Sequence, residues 1–175
     1  IRKLISRRDH LDKEAIKYYK FISRKVNVIG SNQKEYFKVS THNDSLRVRV
    51  YERGRGNDTS FIMYTRTFDP AVTKEIRLFG LNDQDVFDID ENVSSRIKLR
   101  IIGGKDNDTF NIRGNIKNII YDKLSDVNYI KNKSHTKNKF SADPPATGRS
   151  ILGYQYNTTK FPQLLFSQNS DDGYM

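Results

Sequence analysis

The segment KEIRLFGLNDQDVFDID at residues 74–90 returns, imperfectly, as IKLRIIGGKDNDTFNIR at residues 97–113. The step from Gly80 to Gly103 also carries Asp83 onto Asp106, Asp85 onto Asp108, Phe87 onto Phe110 and Ile89 onto Ile112. Repeats with a period of about 20 to 50 residues are the mark of stacked supersecondary units, none of which can bury its apolar face alone. Each unit reads as strand, glycine turn, short strand. Ile76 and Leu78 line one face, Gly80 turns the chain, and Val86, Phe87 and Ile89 return it to the core; Leu99, Ile101, Gly103-Gly104, Phe110 and Ile112 repeat the scheme. NIKNIIYD at 115–122 offers one more rung. The expected fold is therefore mainly β (α+β): an N-terminal amphipathic helix, a β-hairpin region and a short solenoid-like β stack, its open strand edges capped by the neighbouring segments.

The flanks support that division. In residues 1–25, Leu4, Leu11, Ala15, Tyr18 and Ile22 recur at helical steps, so this segment is expected to be helical with one apolar stripe. Arg8 interrupts the stripe, and Asp9 is placed to cap a second helix beginning at His10. Tyr18, Tyr19 and Phe21, at helical spacing, are expected in the core. Residues 26–125 form the β domain. EYFKVS at 35–40 and LRVRVY at 46–51 alternate around THNDS, predicting a hairpin with Phe37, Val39, Leu46, Val48 and Val50 inward. FIMYTRTF at 61–68 is a further strand, ended by Asp69-Pro70. Residues 126–150 are polar, basic and proline-containing, which predicts a flexible linker, and alternation in 151–175 suggests the start of a further, barrel-like β region.

Composition narrows the chemistry. With no cysteine among 175 residues, disulfides, thiolate catalysis and Cys-ligated zinc are excluded. The formal charge of +10 permits a polyanion partner through Arg2, Lys3, Arg7, Arg8, Arg24 and Lys25, either nucleic acid or an anionic membrane surface. Zinc, RNP and helix-turn-helix signatures are missing, which argues against nucleic acid. His10, His42 and His135 lie apart, and no nucleophile elbow, Walker loop or dinucleotide fingerprint occurs, so no catalytic residue is assigned. The first residue is Ile1 and the last, Met175, falls inside an alternating run, so the chain reads as part of something longer.

GGKDNDTFN at 103–111 resembles the glycine-rich nonapeptide of calcium-binding repeats-in-toxin β-rolls at Gly103, Gly104, Asp108 and Phe110. Asp106 replaces a third glycine, and the first unit keeps only Gly80, Asp85 and Phe87. Calcium takes six to eight oxygens, and stacked rungs would bring Asp83, Asp85, Asp106 and Asp108 together as its ligands. The alternative is that these residues are polar turn tips bonded to their own backbone.

Over nearly its whole length, in ISRRDHLDKEAIKYYKFISRKVNVIGS and KEYFKVS and most specifically in FDPAVTKEIRLFGLNDQDVF and LLFSQNSDDG, the chain resembles the region just before the C-terminal barrel of Bacteroidota outer-membrane proteins. Those proteins are similar to the surface-antigen (BamA/TamA-like) barrel family and often carry a metallophosphoesterase-like N-terminal part. The resemblance implies a non-catalytic connecting or scaffold domain on the periplasmic side of the outer membrane, with the phosphoesterase and the barrel of the same polypeptide as its partners. None of the phosphoesterase metal-ligand motifs is matched here, so any hydrolytic activity would reside outside these residues. A calcium-binding β-roll module and a part of a metallophosphoesterase remain the alternatives.

Overall fold

In the computed structural model, residues 2–54, 61–131 and 136–142 are described, with side chains from His10 onward. The chain is mainly β. One helix, α1 (Arg2–Ile22), leads into β1 (Lys25–Ile29), β2 (Glu35–His42), β3 (Ser45–Glu52), β4 (Ile62–Phe68), β5 (Glu75–Leu81), β6 (Val86–Ile89), β7 (Ser94–Gly104), β8 (Thr109–Ile112), β9 (Asn115–Lys123), β10 (Tyr129–Lys131) and β11 (Thr136–Ser141). The helix is unbroken across Asp9 and His10, where a second helix was expected to begin.

Two sheets share these strands. The first runs β1-β5-β7-β9-β11 and is parallel throughout; the second runs β10-β8-β6-β2-β3-β4. In the second sheet β10, β8, β6 and β2 are parallel, while β2, β3 and β4 form the antiparallel hairpin part. The chain therefore crosses from one sheet to the other and back with each unit. The step between the two quoted segments is the pairing register, since Ile76 lies beside Leu99 and Phe87 beside Phe110.

Register also uncovers a relative that reading the sequence passed over. Val28 pairs with Leu78, and Phe37 with Phe87, a step of 50 residues, so IGSNQKEYFKV at 29–39 occupies the same place as FGLNDQDVFDI at 79–89. The hairpin strands β3 and β4 are inserted after this first unit. Fold symmetry is thus wider than the pair of segments with which the reading began.

Between the sheets lies the core. Val28, Ile76, Leu78, Leu99, Ile101, Ile116 and Ile120 meet Phe37, Val39, Leu46, Val48, Val50, Phe68, Phe87, Ile89, Phe110 and Ile112. Val86, expected inward, is only half-buried and lies outside this cluster. Phe37, Phe87 and Phe110 are stacked, with ring centroids 4.7 Å and 5.3 Å apart. Identical side chains at identical register are brought over one another by parallel pairing, and offset stacking adds to the burial of each ring. A smaller cluster, Phe79, Ile102, Ile119 and Tyr121, is separate from the inter-sheet core.

Residues 129–131 and 136–141, expected within a flexible linker, are the strands β10 and β11, paired in parallel with β8 and β9. Tyr18, Tyr19 and Phe21, expected in the core, are exposed. The barrel-like segment expected at 151–175 lies outside the described residues.

Candidate functional site

A column of carboxyl groups is built where the chain turns from the first sheet to the second. β1, β5 and β7 reach this corner at Gly30, Gly80 and Gly103, and the chain enters β2, β6 and β8 at or just after Glu35, Asp85 and Asp108. In each case the acid stands five positions after the glycine. β9 brings Asp122 to the level of the glycines, because Tyr121 pairs with Ile102, and Asn128 then precedes β10. Leu81, Asp83, Gly104 and Asp106 turn the backbone through the left-handed region, with φ of 86°, 70°, 125° and 75°.

The acids link unit to unit. The Glu35 N–H donates to Asp85 Oδ1, the Asp85 N–H to Asp108 Oδ1, and the Asp108 N–H to Asn128 Oδ1, each at 2.8 Å. Parallel stacking leaves the corner N–H of each unit without a strand partner, and the side chain of the following unit supplies the acceptor. The sequence reading missed Glu35, Asp122 and Asn128. Glu35 was detectable from the five-residue spacing to Gly30, whereas an acid at a glycine position (Asp122) and an amide after one extra residue (Asn128) escape any such pattern.

The remaining oxygens face inward. Glu35 Oε2, Asp85 Oδ2, Asp108 Oδ2 and Asp122 Oδ2 are buried and, among the described residues, accept no hydrogen bond from an ordinary donor. They occupy the space that the glycines leave open: a Cβ at Gly80 would stand 2.1 Å from Asp85 Oδ2, and one at Gly103 would stand 2.1 Å from Asp108 Oδ2 and 2.4 Å from Asp122 Oδ2. Close carboxyl oxygens require a proton between them. Burial pushes Asp85 up to about 9 and Asp108 up to about 8, helped by neighbouring carboxylates, while burial raises Asp122 less, to about 6, because backbone N–H groups and Asp108 favour its ionised form. Glu35 is raised by burial and eased downward by hydrogen bonds from Ser31 and Asp85. Burial and the neighbouring carboxylates thus favour the neutral form of Asp85 and Asp108, the two most strongly raised carboxyls of the column.

Acids on other surfaces are treated differently. Asp88 is 2.7 Å from Lys38 Nζ and 2.9 Å from Arg113, and Glu75 is 2.8 Å from both Arg77 and Arg100. Burial raises both carboxyls, but these cations hold them below the usual range. Among the described residues, no such cation stands among the hydrogen-bond partners of the buried column.

The structure separates the four residues expected to ligate calcium. Asp85 and Asp108 turn into the protein, while Asp83 and Asp106 sit on the turn outside, where the Asp83 N–H donates to Asp106 Oδ2 at 3.2 Å. The reason is the alternation between Asp83 and Asp85: left-handed backbone at Asp83 directs it away from the corner that Asp85 fills. Among the described residues, no three His, Asp or Glu side chains are grouped to hold a metal ion. The set Asp83, Asp85, Asp106 and Asp108 does not fit a calcium ion as one ligand cage.

A cleft of about 740 Å³ lies at the other ends of the first-sheet strands, lined by Asp44, Asp69, Lys74, Ser94, Arg96 and Lys117 among others. It is remote in the fold from the carboxyl column. Among the described residues no helix is long and apolar enough to cross a membrane. No family model, no curated protein and no solved structure matches the chain.

Proposed function

We propose that the chain is a non-catalytic connecting scaffold of a larger outer-membrane protein, standing on the periplasmic side between a phosphoesterase-like part and a barrel, and that its alternating units amount to a short β-solenoid. The observation that carries the non-catalytic reading is the use made of the acids: Asp85 and Asp108 each accept the corner N–H of the preceding unit, and their second oxygens are sealed from solvent. A catalytic carboxyl must reach a substrate, and a group with this burial cannot. Stacked units are suited instead to holding two neighbours at fixed separation, because each unit contacts only those beside it.

Assays of the purified chain with aryl phosphate mono- and diesters test the reading, supplemented with calcium, magnesium or manganese and repeated on Asp85→Asn and Asp108→Asn. The expected result is no turnover above buffer and melting temperatures that coincide in calcium and in chelator. Turnover abolished by either substitution would overturn the scaffold reading. A calcium-dependent rise in melting temperature lost in Asp108→Asn would replace it with a calcium-binding β-roll.

A further inference from the structure

α1 carries an apolar face that nothing in the described structure covers. From His10 to Ile22 every side chain is exposed, including Leu11, Ile16, Tyr18, Tyr19, Phe21 and Ile22. Phe21 is 76 % exposed, Tyr18 65 % and Leu11 63 %. Leu11, Ala15, Tyr18 and Ile22 follow one another at steps of four, three and four, which places them on one stripe. Tyr19 and Phe21 flank it, while Lys13, Lys17 and Lys20 share the opposite side. At its C-terminal end the helix is tied down, for Ser23 is buried and its carbonyl accepts the Thr73 hydroxyl at 3.0 Å.

Charge selects the occupant. Residues 1–25 hold nine Lys and Arg against three Asp and Glu, a surplus of six in a chain whose formal charge is +10. Glu14 is paired with Lys17 at 2.7 Å. We propose that α1 lies flat on an anionic phospholipid surface, its Leu11–Tyr18–Ile22 stripe in the acyl boundary and its lysines and arginines among the headgroup phosphates.

Three features favour lipid over a second copy of the helix. The sequence puts Arg8 in line with Ala15 and Ile22, a position at which the packed seam of two helices would bury a charge and a lipid boundary would not. Two tyrosines join an apolar ring to a hydroxyl, which suits the depth at which water gives way to hydrocarbon. Apolar side chains also spread beyond a narrow seam, with Tyr19 and Phe21 on its two sides, a shape suited to a broad surface. The inference rests on α1 alone and is independent of the scaffold reading.

The chain has no tryptophan, so Tyr18→Trp gives a single reporter in the stripe. This variant of the full 175-residue chain is titrated with phosphatidylcholine vesicles and with phosphatidylcholine–phosphatidylglycerol vesicles. The expected result is a blue shift of emission and at least about tenfold stronger partitioning to the anionic vesicles, weakened by salt. Replacing Leu11 and Ile22 by Ser in the reporter chain is expected to abolish binding, while an unchanged thermal melt reports an intact β core. Equal partitioning to both vesicles, or no blue shift, would overturn the proposal. So would concentration-dependent dimerisation in sedimentation that the same two substitutions remove, because the stripe would then belong to a second copy.

Discussion

Asp108 accepts one hydrogen bond from the backbone of the unit before it, and its second oxygen shares the Gly103 corner with that of Asp122 in the strand after it, which favours a proton held between the two. Burial and this neighbour favour the neutral carboxyl over a pH range where an exposed aspartate is ionised. The native state binds more protons than the unfolded state between the ordinary aspartate value of 3.8 and about 8 for Asp108, or about 9 for Asp85. Stability is accordingly greatest at the acid end of that window and falls as pH rises through it, by an amount on the order of a few kcal/mol. Asp108→Asn keeps an oxygen for the Asp85 N–H and puts a fixed donor where the proton stood, as Asn128 supplies an amide oxygen to Asp108 itself. Thermal melts between pH 5 and 9 are expected to show a smaller loss of melting temperature in Asp108→Asn than in the parent chain. Parallel losses in the two proteins would contradict the shared proton.

The same position shows why the sequence revealed the site only in part. Asp85 and Asp108 stand out through the repeat, but spacing alone does not say that one of two alternate aspartates points inward and the other outward. Asp83 and Asp106 looked like their partners because a turn written as residues conceals its left-handed steps. Glu35 carries the same chemistry on a longer side chain and was hidden by the hairpin inserted behind it.

Among the elements, β5 and β7 depend on the glycines at their ends. At Gly80 an added Cβ would stand 2.5 Å from the Gly103 carbonyl oxygen as well as 2.1 Å from Asp85 Oδ2, so backbone and ladder would both have to move. Gly80→Ala is expected to cost about 2–3 kcal/mol, as overpacking in a closed interior does. Gly54, with nothing among the described residues within 4 Å of its would-be Cβ, is the control, and its alanine variant is expected to melt within about 0.5 kcal/mol of the parent. Chemical denaturation of the two variants measures both; equal stabilities would deny the corner its tight fit.

Strand alternation was readable wherever one face was buried, as in β2 and β3, whose Phe37, Val39, Leu46, Val48 and Val50 are all inside. It failed at β11, TKNKFS, because an edge strand with exposed lysines has no apolar alternation and looks like a linker. In α1 the period was right and the conclusion wrong. Helical spacing identifies a face but not what covers it, so Tyr18 and Phe21 read as core although no described part of the protein buries them.

Across the whole molecule, β7 has β5 on one side and β9 on the other, whereas β4, β10 and β11 are sheet edges. Hydrogen exchange is expected to follow that arrangement: amides of β5, β7 and β9 between Ile76 and Ile120 exchange last, and those of β10 and β11 exchange first. Uniform protection from β5 to β11 would show that the units open together. Fold class was clear from composition and periodicity, while the parallel course of both sheets was not, since pairing partners lie in register arithmetic and the first unit was obscured by its insertion.

The ladder also has a direction. Every corner N–H is satisfied by a side chain that comes later in the chain, by 50 residues at Glu35, 23 at Asp85 and 20 at Asp108. During synthesis, therefore, a unit that has already left the ribosome stays open at its corner until the next has followed it. Completion travels one unit behind the growing end, and the oldest corner, at Glu35, has the longest wait.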